Sequence, residues 1–357
     1  MKNSNLHAAK AAKNDEFYTR LTDVANELCN YKAHFANKVV FCNCDDPDYS
    51  AFWKYFHLNF AELGLKRLVS THYDRDKSTY KMEYNGGNDN DVTVGTKVPL
   101  EGNGDFRNQE CIDILDGCDI VVTNPPFSLF REYIAQLVKH NKKFLVIGSK
   151  NAITYKEIFP LIKDNKLWIG CTSPNEFIIP GGEITKQVNG LCRWFTNLEH
   201  SKRNEKLILW KRYNPAEYPK YDNYDAINVD KVGDIPLDYD GVMGVPITFL
   251  DKYCPEQFEI VAFRKGEDGK DLVFNRERER TFNRTFVSLF DLDSGDDQKR
   301  RRKDKWENYL RTHNDSKEVE PVDVIYPLAT NLKNGMINDC TINGKKTYCR
   351  VLIRSKQ

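Results

Sequence analysis

The chain has 357 residues, 40% hydrophobic and 29% charged, an ordinary globular composition with length for one enlarged α/β domain or two domains. With 53 Lys and Arg against 52 Asp and Glu, the formal net charge is +1, so a globally basic nucleic-acid coat is excluded and any polyanion must meet a local patch. The longest apolar runs, Ile120–Val122 and Phe144–Gly148, are far too short to cross a bilayer, and Met1–Lys13 lacks an apolar centre, so no membrane partner, no secretory signal and a cytoplasmic location are expected.

Asn14–Tyr31 reads as a helix, with Val24, Leu28 and Tyr31 at helical spacing. Lys38–Cys44 is an apolar, β-branched run that predicts a buried strand. Ser50–Leu63 sets Phe52, Tyr55, Phe56, Phe60 and Leu63 three and four apart, an amphipathic helix interrupted by Gly64. Lys66–Tyr73 predicts a second strand, and the Gly/Asn/Asp-rich stretch Ser78–Gly104 predicts loops with a hairpin. Asp119–Thr123 is a third strand, broken by Asn124-Pro125-Pro126. A helix follows, with Ser128 as N-cap and Phe130, Ile134, Leu137 and Val138 on one face. Phe144–Gly148 is the next strand, Ile153–Ile162 is helical in pattern, and Lys166–Gly170 is strand-like. This alternation predicts an α/β fold, a mostly parallel sheet with helices on both faces, and such sheets bind ligands at the carboxyl ends of their strands.

The ten cysteines include no C-x-x-C pair, so they read as reduced, buried small hydrophobes, and no metal site is expected. The 46 residues from Asn275 to Glu320 hold 12 Lys/Arg and 11 Asp/Glu, which marks a charged insertion or peripheral element.

Asn124-Pro125-Pro126-Phe127 directly follows the strand Ile120–Thr123. Two prolines fix two φ angles, remove two backbone donors and push each preceding residue toward extended backbone. The Asn124 amide and the Pro125 carbonyl are thus held as two acceptors, with the Phe127 ring beside them. An amino group on a planar, conjugated ring fits this corner. Its two N–H groups donate to the two oxygens, which favours a pyramidal nitrogen with an available lone pair, and Phe127 stacks on the ring. Neither acceptor needs to be a strong base, because the proton can leave after the new N–C bond forms.

The Asn-Pro-Pro-Phe motif resembles motif IV of amino-group, adenine-specific DNA methyltransferases. The flanks Asp15–Thr19, Val39–Pro47, Gly64–Leu68, Asp119–Phe130 and Tyr221–Leu250 are similar to the EcoRI-type adenine methyltransferase family, and Tyr348–Arg354 more weakly so. The resemblance implies a Rossmann-like methyltransferase fold with C-terminal target-recognition additions, divided as a catalytic domain 1–213 and a target-recognition region 214–357 with its insertion at 275–320. It implies S-adenosylmethionine as donor and N6 of a flipped-out adenine in double-stranded DNA as acceptor. It also implies a restriction–modification setting or an orphan enzyme in a bacterial or phage-infected cell, associated with the nucleoid. Any cognate restriction endonuclease would share the site without stable binding. Carried over, Asn124, Pro125, Pro126 and Phe127 would be catalytic. Phe17, Tyr18 and Thr19 would line the cofactor pocket, and Asp46-Pro47 would stand at the methionine end. Asp74 would accept from the ribose hydroxyls, and Asp105-Phe106 would meet the cofactor's adenine. One departure is plain: Cys44–Ser50 contains no glycine where many methyltransferases have a Gly-rich turn.

An extruded base costs a few kcal/mol and needs a second aromatic wall. The candidates are Trp194, Phe195 and, third, Phe177, with adjacent Trp194 and Phe195 facing opposite sides of a strand. Candidate contacts to the DNA backbone are Lys142-Lys143, Lys202-Arg203, Lys211-Arg212 and, above all, Lys299, Arg300, Arg301, Arg302 and Lys303 within Lys299–Lys305. Two alternatives stand beside this reading: amino methylation of RNA or of a protein glutamine, and a non-catalytic DNA- or cofactor-binding relative.

Overall fold

The computed structural model describes residues 18–74, 79–178, 184–187, 190–221, 225–263, 341–342, 345–346 and 350–356. The chain divides into two compact units, Met1–Asn204 and Glu205–Gln357.

In chain order, the first unit contains β1 (Tyr18–Thr19), α1 (Leu21–Leu28), β2 (Val39–Cys42), α2 (Ala51–Leu58), α3 (Phe60–Leu63), β3 (Arg67–Thr71), β4 (Tyr80–Tyr84) and β5 (Thr96–Pro99). It continues with α4 (Gln109–Asp116), β6 (Ile120–Thr123), α5 (Phe130–Lys139), β7 (Lys143–Ser149), α6 (Phe159–Lys163), β8 (Trp168–Ile169), β9 (Glu176–Ile178), β10 (Ile184–Gln187) and β11 (Cys192–Thr196). Eight strands form one sheet in the order β5-β4-β3-β2-β6-β7-β11-β8. Its centre, β3-β2-β6-β7, is parallel, and β4 and β11 are antiparallel to their neighbours. The result is a mixed α/β unit around a large, mostly parallel sheet, consistent with a methyltransferase fold. After β2 the chain adds β3 on one side, then crosses to β6 on the other, so the strand order reverses between β2 and β6. A crevice at their carboxyl ends is where such sheets take ligands.

Both faces of the sheet are covered. Val40, Cys42, Leu68, Ile120, Val122, Leu145, Ile147 and Trp194 share one core cluster with Val24 and Leu28 of α1 and Phe52 and Phe56 of α2. The alternate residues Phe41, Val121, Phe144, Val146 and Phe195 are equally buried, and Phe195 meets Phe130 of α5 with ring centroids 5.0 Å apart. Strands buried on both sides read as continuous apolar runs, which is why β2, β6 and β7 were visible in sequence.

Several expected elements differ. Tyr18-Thr19 is a strand rather than part of the first helix, because it pairs with β9 at Ile178 and Phe177. The helix expected over Ser50–Leu63 turns at Asn59 and ends at Gly64, whose φ of 61° favours glycine. The hairpin expected within Ser78–Gly104 is β4–β5. Ser128 lies in a turn of 3-10 helix, and α5 starts two residues later with no side-chain cap. The helix expected over Ile153–Ile162 shortens to a 3-10 turn at Lys150–Thr154 and then α6. Helix α4 had no counterpart in the sequence reading.

The second unit holds β12 (Ala226–Asn228), β13 (Val242–Pro246), β14 (Phe258–Phe263), a hairpin of β15 (Thr341–Ile342) and β16 (Lys345–Lys346), and β17 (Arg350–Ser355). Four strands pair in the order β12-β13-β17-β14 over a core that includes Tyr221, Val242, Val261 and Leu352. Phe263 pairs with Val351, so the two ends of the long stretch between β14 and β17 are neighbours in one sheet. The charged insertion at 275–320 lies outside the described residues. Glu205–Tyr213, assigned by sequence to the first domain, belongs to the second unit. Gln257 holds Leu207 by two backbone bonds, Leu207 N–H to Oε1 at 2.7 Å and Nε2 to the Leu207 carbonyl at 2.8 Å, and Asp238 accepts from the Tyr213 N–H. Among the described residues no helix is long and apolar enough to cross a membrane.

Candidate active site

Strand β6, buried along its length, delivers Asn124-Pro125-Pro126-Phe127 to the carboxyl edge of the sheet. Pro125 is buried, while Asn124 and Phe127 are half-buried, with Asn124 Oδ1 itself turned out of solvent. A single 3-10 turn, Phe127–Leu129, joins the corner to α5, closed by the Leu129 N–H on the Pro126 carbonyl at 3.0 Å.

A neighbouring carboxylate on the β2 loop ties this corner down. Asp45 is 5% exposed. It accepts from Ser50 Oγ at 3.0 Å, from Thr123 Oγ1, and from the Asn124 N–H at a long 3.4 Å. Thr123 Oγ1 in turn accepts from the Cys44 N–H at 3.2 Å. The backbone of Asp45 is bound to β3, its N–H on the Thr71 carbonyl and its carbonyl accepting from Ser70 Oγ. Burial pushes the Asp45 carboxyl up to about 6, against the pull of the bonds from Thr123, Ser50 and the Asn124 N–H. Ser50 also caps α2, accepting from the Phe52 and Trp53 N–H groups. The sequence assigned no role to Asp45, since nothing in one sequence marks which of Asp45, Asp46 and Asp48 turns inward.

The ring facing Phe127 is Phe177, with centroids 6.2 Å apart and planes at 70°. Phe177 sits on β9 opposite Thr19 of β1, and the buried Thr19 hydroxyl has no hydrogen-bond partner among the described residues. Two acids one turn apart on α1 place the loop that carries Phe177. Glu27, fully buried, accepts from the Cys171 and Thr172 N–H groups, the Thr172 hydroxyl and the Tyr31 hydroxyl. Asp23 accepts from the Asn175 and Glu176 N–H groups at 2.8 and 3.3 Å.

On the other side of β2 stand the loops expected to hold a cofactor. Asp46 accepts from the Asp48 N–H at 3.0 Å and from the Tyr80 hydroxyl at 3.4 Å, with His72 Nε2 at 4.0 Å. Burial and the nearby Asp46 push the Tyr80 phenol up. Asp74, after β3, binds by its N–H to the Asn103 carbonyl at 3.0 Å. Gly104 has φ of 72°, and a Cβ there would lie 1.9 Å from the His72 carbonyl oxygen, so this crossing of two loops admits only glycine. Asp105 follows, its carboxylate gripped by Arg107 at 2.9 and 2.6 Å, which holds the carboxyl below its ordinary value. Phe106 is buried edge-on against Tyr133, centroids 5.1 Å apart.

The family model for the adenine-specific methyltransferase EcoRI matches residues 5–356. The chain belongs to this family. It is an adenine-specific DNA methyltransferase. Among its relatives, the Type II methyltransferase M.EcoRI of Escherichia coli is 50% identical over 306 residues, covering 76% of this chain and 93% of that protein. The Type II methyltransferase M.MgeORF184P of Mycoplasma genitalium is 42% identical over 276 residues, 72% of this chain and 85% of its own. M.MpnI of Mycoplasma pneumoniae, also a Type II methyltransferase, is 41% identical over 276 residues, with 72% and 84% covered. No solved structure matches the chain.

Within this methyltransferase two sets of expected residues stand elsewhere. Trp194 and Phe195 are fully buried, Trp194 edge-on to Phe52 at 5.9 Å and Phe195 against Phe130 on the opposite face, so both are core; Phe177 is core as well, but its ring meets Phe127. The basic pairs are drawn into bonds of the protein itself. Arg203 lies 3.6 Å over the Trp168 ring and binds Glu199 and Asn165. Lys202 donates to the Cys171 carbonyl, Lys142 to the Asp116 and Cys118 carbonyls, and Lys143 to the Asn197 carbonyl. Lys211 pairs with Asp234 and Arg212 with Asp238. Lys299, Arg300, Arg301, Arg302, Lys303 and Phe17 lie outside the described residues, as does the side chain of Tyr18. Of the ten cysteines, Cys42, Cys111, Cys118, Cys192 and Cys254 are buried thiols, Cys44 and Cys171 are half-buried, and Cys29 is exposed.

Proposed function

We propose that the unit Met1–Asn204 is a Rossmann-like catalytic domain that methylates N6 of an adenine swung out of duplex DNA, with S-adenosylmethionine as donor and the second unit recognising the target. The observation that carries this is the position of the Asn124–Phe127 corner, at the carboxyl end of β6 where the strand order reverses. The residues on that edge fit the donor: carboxylates at Asp46, Asp74 and Asp105 on loops after the strands, and a buried hydroxyl at Thr19 with no partner among the described residues. Asp46 and Pro47 would stand at its methionine end, Asp74 would accept from its ribose hydroxyls, and Asp105 with Phe106 would meet its adenine. When bound, it supplies an electrophilic methyl carbon.

Asn124 Oδ1 and the Pro125 carbonyl accept the two N–H groups of the target amine and aim its lone pair. Phe127 stacks on the base to offset part of the unstacking cost, and the buried Phe177 ring, edge-on to Phe127, backs it. The corner would aim the N6 lone pair at the methyl carbon that the bound donor supplies, with its sulfur as leaving group, and the proton lost from N6 would pass to water. The cellular setting follows the same reading: a cytoplasmic enzyme, free-standing or sharing its site with a nuclease that does not bind it.

Asn124→Ala tests the assignment. Methyl transfer from labelled S-adenosylmethionine to duplex DNA is expected to fall by at least about 10²-fold, the usual cost of one preorganised polar group, with cofactor affinity by calorimetry unchanged. Full activity in this variant, or transfer to RNA in preference to DNA, would overturn the reading.

A further inference from the structure

We infer that Asp45 is a positioning residue that latches the amine-binding corner onto the first-strand loop, so that methyl acceptor and methyl donor sit in one rigid frame. The inference rests on the proposed reading of the site. Three strand ends converge on this one residue. Its carboxylate takes the Thr123 hydroxyl and the Asn124 N–H from β6, and the Ser50 hydroxyl from the N-cap of α2. Its backbone is bound to Thr71 and Ser70 of β3. Thr123 closes the loop by accepting from the Cys44 N–H. Asp45 reaches the corner by the Thr123 hydroxyl and the Asn124 N–H, so it acts through Asn124. The residue that follows it, Asp46, belongs to the cofactor-side cluster with Tyr80 and His72. A shift of either loop is therefore transmitted to the other through Asp45 and its partner Thr123.

With the carboxylate ionised, both hydroxyls and the Asn124 N–H donate to it. A protonated carboxyl must donate to one of these hydroxyls, which turns that bond round and rearranges the hold on the corner. The other ionisable groups around it are Asp46 on its own loop, Cys42 and Cys44 flanking it, and Tyr133 of α5. Burial pushes both thiols and the phenol up, so they stay neutral near pH 6, leaving Asp45 to set the charge of this cluster together with Asp46.

Two variants of the full chain test the latch. Asp45→Asn keeps the shape and removes the charge, and Thr123→Val keeps the volume and removes the bridging hydroxyl. Each is expected to lower kcat on duplex DNA by about 10²-fold, the cost of a displacement of about 1 Å at a reacting centre, with KM for DNA and for S-adenosylmethionine within about 3-fold of wild type. Thr123→Ser, which retains the hydroxyl, is expected to recover most of the rate. The wild-type kcat should rise through pH 6 as Asp45 ionises, and Asp45→Asn should lack that limb. Wild-type kcat in both variants, or an acidic limb that survives in Asp45→Asn, would overturn the inference. Failure of the wild type to methylate adenine in DNA would instead overturn the proposed function.

Discussion

Two loops of the first unit are each held by buried acids, and they are held differently. The loop that carries Phe177 hangs from Glu27 and Asp23, which together accept from four backbone N–H groups and two hydroxyls. The corner that carries Asn124 hangs from Asp45, which accepts from two hydroxyls and one distant N–H. Backbone N–H groups are fixed by the chain and cannot turn away, so the Glu27 set is a staple. Hydroxyls rotate and can reverse the direction of a bond, so the Asp45 set is a latch. The aromatic wall is thus anchored against movement, whereas the amine-binding corner depends on the charge state of one carboxyl.

The comparison breaks most severely at Glu27. Glu27→Ala leaves the half-buried Cys171 and Thr172 N–H groups and the buried Tyr31 hydroxyl without their acceptor. At about 1–3 kcal/mol for each stranded buried group, stability measured by urea unfolding should fall by about 3 kcal/mol or more. An unchanged urea midpoint would show that water or neighbouring groups satisfy the loop, and that it is no staple.

Asp45 should respond to pH with the opposite character. Its folded value of about 6 lies above the ordinary 3.8, so the folded state binds more protons than the unfolded state between those values. The contribution of Asp45 to stability is therefore present at low pH and lost as pH rises through that window, by on the order of 2–3 kcal/mol. Urea midpoints of wild type and Asp45→Asn, compared at pH 4.5 and pH 7.5, should converge at the lower pH and diverge at the higher, with the variant more stable at pH 7.5. The same variant is the one expected to lose turnover, so stability and activity move in opposite directions at this residue. Parallel pH profiles for the two proteins would remove the distinction between staple and latch.

The smallest effect is expected at Phe177 itself, tested with a change that keeps most of the volume of this buried ring. Phe177→Leu removes the edge that backs Phe127, so KM for duplex DNA or the flipped fraction read with 2-aminopurine should change by up to about 10-fold. Cofactor affinity should not change. Phe195→Leu, a change in the core beneath α5, should leave that flipping signal where it was. A signal that followed Phe195 rather than Phe177 would sharpen the comparison by moving the base pocket to the other face of the sheet.

The central strands and the catalytic corner were legible in the chain for one reason. Strands buried on both faces are uninterrupted apolar runs, and Asn-Pro-Pro at the end of such a run stiffens the backbone without help from the rest of the protein. Short elements were not legible. Tyr18-Thr19 is extended only because Phe177 and Ile178 pair with it from more than 150 positions away. Among adjacent aromatics the sequence separated the two faces at Trp194 and Phe195 correctly, but both faces proved to be packed by helices. Basic pairs looked like DNA contacts because a list of residues does not show that Arg203 lies on Trp168 or that Lys142 ties off two carbonyls.

Sequence alone determined what is local: the order of the central strands along the chain, the rigid proline corner, and through its motifs the family to which the chain belongs. Tertiary structure decided which side chains act on that corner. Whether Asp45 or Asp46 turns inward, and whether Phe177 or Phe195 faces Phe127, depends on which loops meet at the reversal between β2 and β6. That meeting is made by contacts between distant segments, whose energies exceed the preferences of any single residue, and no local pattern encodes it.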